Sequence, residues 1–181
     1  MTDPFLKLVQ ALSTVGVRFV VFGVWGANYY AQSGAIVLET QDRDLFLPSD
    51  PENLRKAWET CSQLGLELFA GREPLDLPRD RLLADRVVSV RALTTATDGG
   101  DFVVDLSLVM GSLDFERVWE RHRVFLAQGI EVPVASLEDI VTSKEQAGRD
   151  KDKLFLATWA EELRKFIESE RTRPPRIEGD V

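Results

Sequence analysis

The sequence has 181 residues, enough for one domain with a real core, and about 44% of them are hydrophobic and 29% charged, as in an ordinary globular chain. A formal charge of −8, from 22 basic and 30 acidic side chains, disfavours a general duplex-binding role. One cysteine, Cys61, excludes an internal disulfide framework and a multi-cysteine zinc site, and no apolar run is long enough to span a bilayer.

Asp3-Pro4 is a helix-start signal, and Phe5, Leu8, Val9 and Leu12 follow with helical spacing up to Gly16. The start, Met1-Thr2-Asp3-Pro4, lacks the basic and apolar segments of a signal peptide, so a cytoplasmic chain is expected. Val17 to Phe22 is β-branched and aromatic and predicts a buried strand, broken by Gly23. Trp25 to Gln32 predicts a short helix ending at Gly34, and Thr40 to Leu47 the next strand. Pro48 to Pro51 makes a turn and helix start, with Leu54, Ala57, Trp58, Cys61 and Leu64 as the apolar stripe that follows. Leu66 to Phe69 predicts a brief strand.

Residues 71–84 hold two prolines and no clear period, which predicts a long loop. Val87 to Leu93 and Phe102 to Leu108 predict two strands joined across Asp98-Gly99-Gly100. A helix is expected from Asp114 to about Trp119, then a smaller hairpin of Val124–Leu126 and Ile130–Val134 around Gln128-Gly129. Ser136-Leu-Glu-Asp139 resembles a capping box and opens a helix that stops at Gly148. The last helix runs from about Asp150 to Glu170, with Leu156, Trp159, Leu163, Phe166 and Ile167 on one face. The expected organisation is a single domain over 1–170, with C-terminal helices from about 136 and a mobile tail over 171–181.

Three acids interrupt this apolar patterning. Asp42 and Asp44 sit two apart in a predicted strand, so they share one face while Arg43 and Leu45 take the other. Asp105 lies inside the apolar run Phe102-Val-Val-Asp-Leu106. Two carboxylates about 5 Å apart repel by roughly 3 kcal/mol at an effective dielectric near 20. If the three converge, cations must relieve them, and oxygen-only ligands select Mg²⁺ or Mn²⁺. Alone, an Asp-x-Asp pair is a weak signal, and Asp105 is equally open to a salt bridge with an arginine. Upstream, Phe22-Gly-Val-Trp-Gly-Ala-Asn28 ends a strand in glycine and runs into a helix, which offers free N–H groups to an anion. Its spacing is neither a dinucleotide fingerprint nor a Walker loop.

In this order the segments Gly16-Val-Arg-Phe-Val-Val-Phe-Gly23, Thr40-Gln-Asp-Arg-Asp-Leu45, Val104-Asp-Leu106 and Ser136-Leu-Glu-Asp-Ile140, continuing through Lys144 to Ala147-Gly-Arg-Asp-Lys-Asp152, resemble the nucleotidyltransferase superfamily. More closely, they resemble the bacterial nucleotidyltransferase-like proteins related to the AbiEii-type abortive-infection toxins, over roughly residues 5–160. The resemblance implies an α/β (α+β) fold with a mixed central sheet flanked by helices. It also implies transfer of a nucleoside monophosphate from a nucleoside triphosphate to an acceptor hydroxyl on a tRNA, a protein or a small molecule. Asp42, Asp44 and Asp105 would hold Mg²⁺ (or Mn²⁺), with Asp105 also the base. Gly23, Trp25, Lys144 and Lys151 would meet the nucleotide. One departure stands out: the family carries a second small residue after its glycine, where this chain has Val24 and then Trp25. That bulk crowds a phosphate unless Gly26 restores room, and it suits the alternative of a non-catalytic nucleotide-binding or regulatory protein on the same fold.

Arg117 and His122 match an Arg-x4-His pattern, which resembles the motif of helical HEPN ribonucleases and gives a weaker alternative, outweighed by a plain surface histidine. Tyr29 and Tyr30, Trp119 and Trp159 read as packing residues, and Cys61 as a buried inert thiol.

Overall fold

The computed structural model describes residues 3–31, 38 and 40–173. The expected helix stop at Gly34 and most of the expected tail fall outside them.

Helix α1 (Pro4–Thr14) starts as its sequence dictates, with Asp3 Oδ1 accepting from the Phe5 N–H at 2.7 Å. It buries Phe5, Leu8, Val9 and Leu12. Strand β1 (Val20–Phe22) is shorter than the expected Val17–Phe22, because the Asn53 side chain brackets the Arg18 backbone and takes the place of a strand partner. Helix α2 (Gly23–Ala31) follows without a spacer. Asn28 then exchanges two 2.7 Å hydrogen bonds with the Leu38 backbone, which ties the return of the chain to α2. Strand β2 is Arg43–Phe46, so Asp42 stands just before it rather than within it.

Helix α3 (Pro51–Gln63) is capped by Asp50 and buries Leu54, Ala57, Trp58 and Cys61. A fully buried leucine such as Leu54 contributes roughly 1.5–3 kcal/mol through burial. The indole N–H of Trp58 donates to Thr94 Oγ1 at 3.1 Å, which satisfies the polar group it brings into the core. Strand β3 is Glu67–Ala70 and β4 is Glu73–Pro74.

Helix α4 (Arg81–Val90) corrects two expectations. The expected loop over 71–84 contains β4 and the first turn of α4, and the expected strand over Val87–Leu93 is mostly helix. Val87, Val88 and Val90 favour strand on propensity alone. Asp80 overrides this by accepting from the Leu83 N–H at 3.0 Å, and Ala84 and Val87 are buried one turn apart as α4 packs on α3.

The hairpin across Asp98-Gly99-Gly100 forms, but between β5 (Thr94–Thr97) and β6 (Val103–Ser107). Helix α5 (Phe115–Arg121) is capped by Asp114. Strands β7 (Arg123–Ala127) and β8 (Ile130–Val134) pair around Gln128 and Gly129, both with positive φ. Helix α6 (Leu137–Ala147) has half of its capping box: Ser136 accepts from the Asp139 N–H, but the Asp139 carboxylate turns to Arg121 at 2.6 Å. Gly148, at φ +59, ends α6 with the left-handed residue that α7 (Asp150–Arg171) needs to start in a new direction.

Among the described residues the strands form one mixed sheet in the order β4-β3-β5-β6-β2-β1-β8-β7. Strands β2 and β6 are parallel, as are β1 and β8, and the other neighbours are antiparallel. Helices α1, α3 and α4 pack one on the next, and so do α2, α6 and α7. The middle of the sheet therefore carries the core, and the ends of β1, β2 and β6 meet beside Gly23. No helix is long and apolar enough to cross a membrane among the described residues.

Candidate active site

Two of the three acids are brought together by strand register. Asp44 on β2 stands opposite Asp105 on β6, in parallel strands about 4.8 Å apart, so both side chains leave the same face. Gly23 closes the site from β1. It has φ +67, and a Cβ placed there would meet Asp44 Oδ2 at 2.5 Å. Any other residue would both strain the backbone and displace the carboxylate. Asp105 Oδ1 accepts from Thr95 Oγ1 at 2.8 Å, which leaves its second oxygen for a ligand.

The electrostatics follow from this crowding. Burial, then the charges of Asp105 and Asp42, push the Asp44 carboxyl up to about 6, and Lys144 and Lys151 only partly offset them. Asp42 is different. Its side chain is 69% exposed and pairs with Lys151 Nζ at 3.5 Å. An exposed pair of this kind is worth under about 1 kcal/mol and exchanges readily.

The lysines expected at the nucleotide are placed by a residue that the sequence did not single out as part of a site. Asp152 is fully buried and accepts from Lys144 Nζ at 3.0 Å and from Arg149 Nε at 2.7 Å. Burial alone would raise its carboxyl, but the hydrogen bonds from Arg149 and Lys144 outweigh it and hold it below the usual range. Lys144 also lies 5.0 Å from the Phe155 ring centroid. Arg149 in turn feels Asp44 and Asp42. A row of cations from the start of α7 and the end of α6 thus faces the acids. The signal for Asp152 was its Lys-x7-Asp spacing across a glycine helix break; its burial was not readable.

Trp25 is half-buried, edge-on to Phe5 at 5.7 Å, with the Arg43 guanidinium 4.5 Å from its ring centroid. Gly26 does not make room beside the turn. The space of its missing side chain is filled by Ile140 Cδ1 and the Val21 carbonyl, each 3.1 Å from a would-be Cβ, so this glycine lets α2 approach α6. His122 stacks on Trp119, with Nδ1 against the Trp119 carbonyl, and Arg117 is exposed one turn earlier. Burial pushes the Cys61 thiol up to about 12, as expected of an inert core cysteine.

The donor chemistry fits a hard divalent cation at Asp44 and Asp105. Both offer only oxygen, they share a face, and Asp44 is short of positive charge. Among the described residues no three His, Cys, Asp or Glu side chains form a metal-ligand group, and Asp42 pairs with Lys151.

The antibiotic-resistance factor ANT(2'')-Ia superposes with a TM-score of 0.50 at 15% identity, over 96% of this chain and 94% of that one. A candidate nucleotidyltransferase from Thermotoga maritima superposes with a TM-score of 0.52 at 14% identity, over 87% and 91%. This chain has the nucleotidyltransferase fold. No family model matches the sequence, and no curated protein matches it. The nucleotidyltransferase fold brings Asp44, Asp105 and Gly23 together at adjacent strand ends, and it sets the basic α6–α7 junction across from them.

Proposed function

We propose that this protein is a metal-dependent nucleotidyltransferase, moving a nucleoside monophosphate from a nucleoside triphosphate to an acceptor hydroxyl. The observation that carries the reading is the register pair Asp44–Asp105 against Gly23: two acids on one face, half-buried, with no ion pair of their own among the described residues. A fold that was only structural would neutralise such a pair or replace it with apolar residues.

In this reading Asp44 and Asp105, joined by Asp42, hold a divalent cation, which supplies charge neutralisation for the phosphates. Lys151 leaves Asp42 and meets the triphosphate. Lys144 and Arg149 hold positive charge where the leaving pyrophosphate develops its own. Asp105 also serves as the base, taking the proton of the acceptor hydroxyl, which attacks in line as pyrophosphate departs. Alignment and fixed charge supply most of the rate. The sequence resemblance extends this to an AbiEii-like enzyme of toxin–antitoxin type, acting in the cytoplasm. The formal charge of −8 weighs against a nucleic-acid acceptor such as tRNA.

The test is incubation with each labelled triphosphate, Mg²⁺ and cell extract. Label should become covalently attached to an acceptor with wild type and not with Asp105→Asn. One observation favours a second reading, nucleotide binding without transfer: Asp42 is already paired with Lys151. Metal-dependent triphosphate binding with no transferred label from any extract would select it.

A further inference from the structure

Arg43 sits between Asp42 and Asp44 in the chain, and strand alternation turns it to the other face of the sheet, with Leu45. Its guanidinium carbon lies 4.5 Å from the Trp25 ring centroid and 5.2 Å from that of Phe102. Among the described residues its Nε is buried without a hydrogen-bond partner, and Nη1 reaches only the Gln41 carbonyl at 3.4 Å. The adjacent carboxylate, Asp42, pairs with Lys151 instead. Apolar packing alone does not explain an arginine in this slot. A leucine or methionine would fill it without a buried, unpaired N–H. Stacking between aromatic rings is the one interaction that suits the weakly hydrated, planar guanidinium there.

The members of the stack are spread over the elements that build the site. Trp25 is two residues after Gly23, Phe102 is three before Asp105, and Arg43 adjoins both Asp42 and Asp44. Phe5 of α1 packs edge-on against Trp25. We infer that Arg43 is a positioning residue: clamped between Trp25 and Phe102, it locks the ends of β1, β2 and β6 from behind, so that Gly23, Asp44 and Asp105 keep their mutual geometry. Trp25 thereby has its own role, as one jaw of the clamp. This inference rests on the metal-site reading above.

Arg43→Leu and Arg43→Lys test it, with Mn²⁺ affinity read by the paramagnetic resonance of free Mn²⁺, label transfer as a second readout, and thermal melts as control. Arg43→Leu should weaken Mn²⁺ binding about tenfold, as loss of a supporting partner does at other metal sites, and lower kcat with KM for the triphosphate nearly unchanged. Arg43→Lys keeps the charge but not the planar, weakly hydrated guanidinium, and should recover only part of the affinity. If Arg43→Leu does not fold, Trp25→Leu removes one jaw and should weaken Mn²⁺ binding in the same way. A folded Arg43→Leu that binds Mn²⁺ and turns over as wild type overturns the clamp and leaves the metal site standing. Wild type that binds no Mn²⁺ at millimolar concentration overturns the metal site, and the clamp with it.

Discussion

Asp44 and Asp152 are two aspartates within electrostatic reach of the same lysine, Lys144, and the fold treats them in opposite ways. Asp152 is fully buried and has two cations on its two oxygens. Asp44 is half-buried, with two other acids as its strongest neighbours. Desolvation acts on both, yet the Asp152 carboxyl is held down and that of Asp44 is pushed up to about 6. A partnered buried carboxylate belongs to the architecture. Asp44, with no cation on it among the described residues, is a cost to the folded protein that the proposed bound cation would relieve.

The sharpest way to break this contrast is to neutralise Asp44. Asp44→Asn should abolish label transfer by about a thousandfold or more, comparable with losing a main electrostatic group in an active site. In the absence of metal the same variant should be more stable than wild type at pH 7.5, by chemical denaturation. If it is instead less stable, Asp44 is a structural residue. The mirror-image change, Asp152→Ala, leaves Lys144 without its buried partner and should destabilise by about 3–5 kcal/mol, seen as a lower denaturation midpoint. A loss under about 1 kcal/mol would mean that the Lys144–Asp152–Arg149 cluster does not hold the α6–α7 junction.

The pH dependence sharpens the comparison further. Asp44 binds its proton more tightly in the folded state than at its ordinary value of 3.8. The stability this gives is fully present below about pH 3.8 and is lost as pH rises through about 6, a change of at most about 3 kcal/mol. Asp152 has the opposite sign: its contribution is present above 3.8 and is lost as pH falls through its lowered folded value. Metal-free wild type should therefore weaken between about pH 4 and pH 6.5, and Asp44→Asn should flatten that slope. Gly23→Ala comes next, costing roughly 1–2 kcal/mol for the left-handed backbone alone and lowering transfer by moving Asp44. Lys151→Ala should change stability by less than about 1 kcal/mol while raising KM for the triphosphate, because its pair with Asp42 is exposed.

Much of the fold was legible because it is written in local signals. Asp3-Pro4, Ser136, Gly148 and the Gln128-Gly129 turn each act on their own backbone, and each lies where the structure uses it. The failures came where packing outranked propensity. Val87, Val88 and Val90 read as strand, yet the Asp80 cap and the α3 surface make them helix. The acids were legible as anomalies in apolar strands. That Asp44 and Asp105 lie opposite each other depends on which strands pair, and with what register, across sixty residues of intervening chain.

The sequence by itself determined the alternation of elements, their caps and turns, and the presence of acids where a core strand should have none, because these depend on neighbours a few residues away. Only the tertiary structure decided which charges are answered. It put two cations on Asp152, turned Asp42 to Lys151, set the Arg43 guanidinium over the rings of Trp25 and Phe102, and left Asp44 and Asp105 side by side. The physical reason is that the ionisation of a buried group is fixed by charges and solvent within a few ångströms of space, and distance along the chain says little about either.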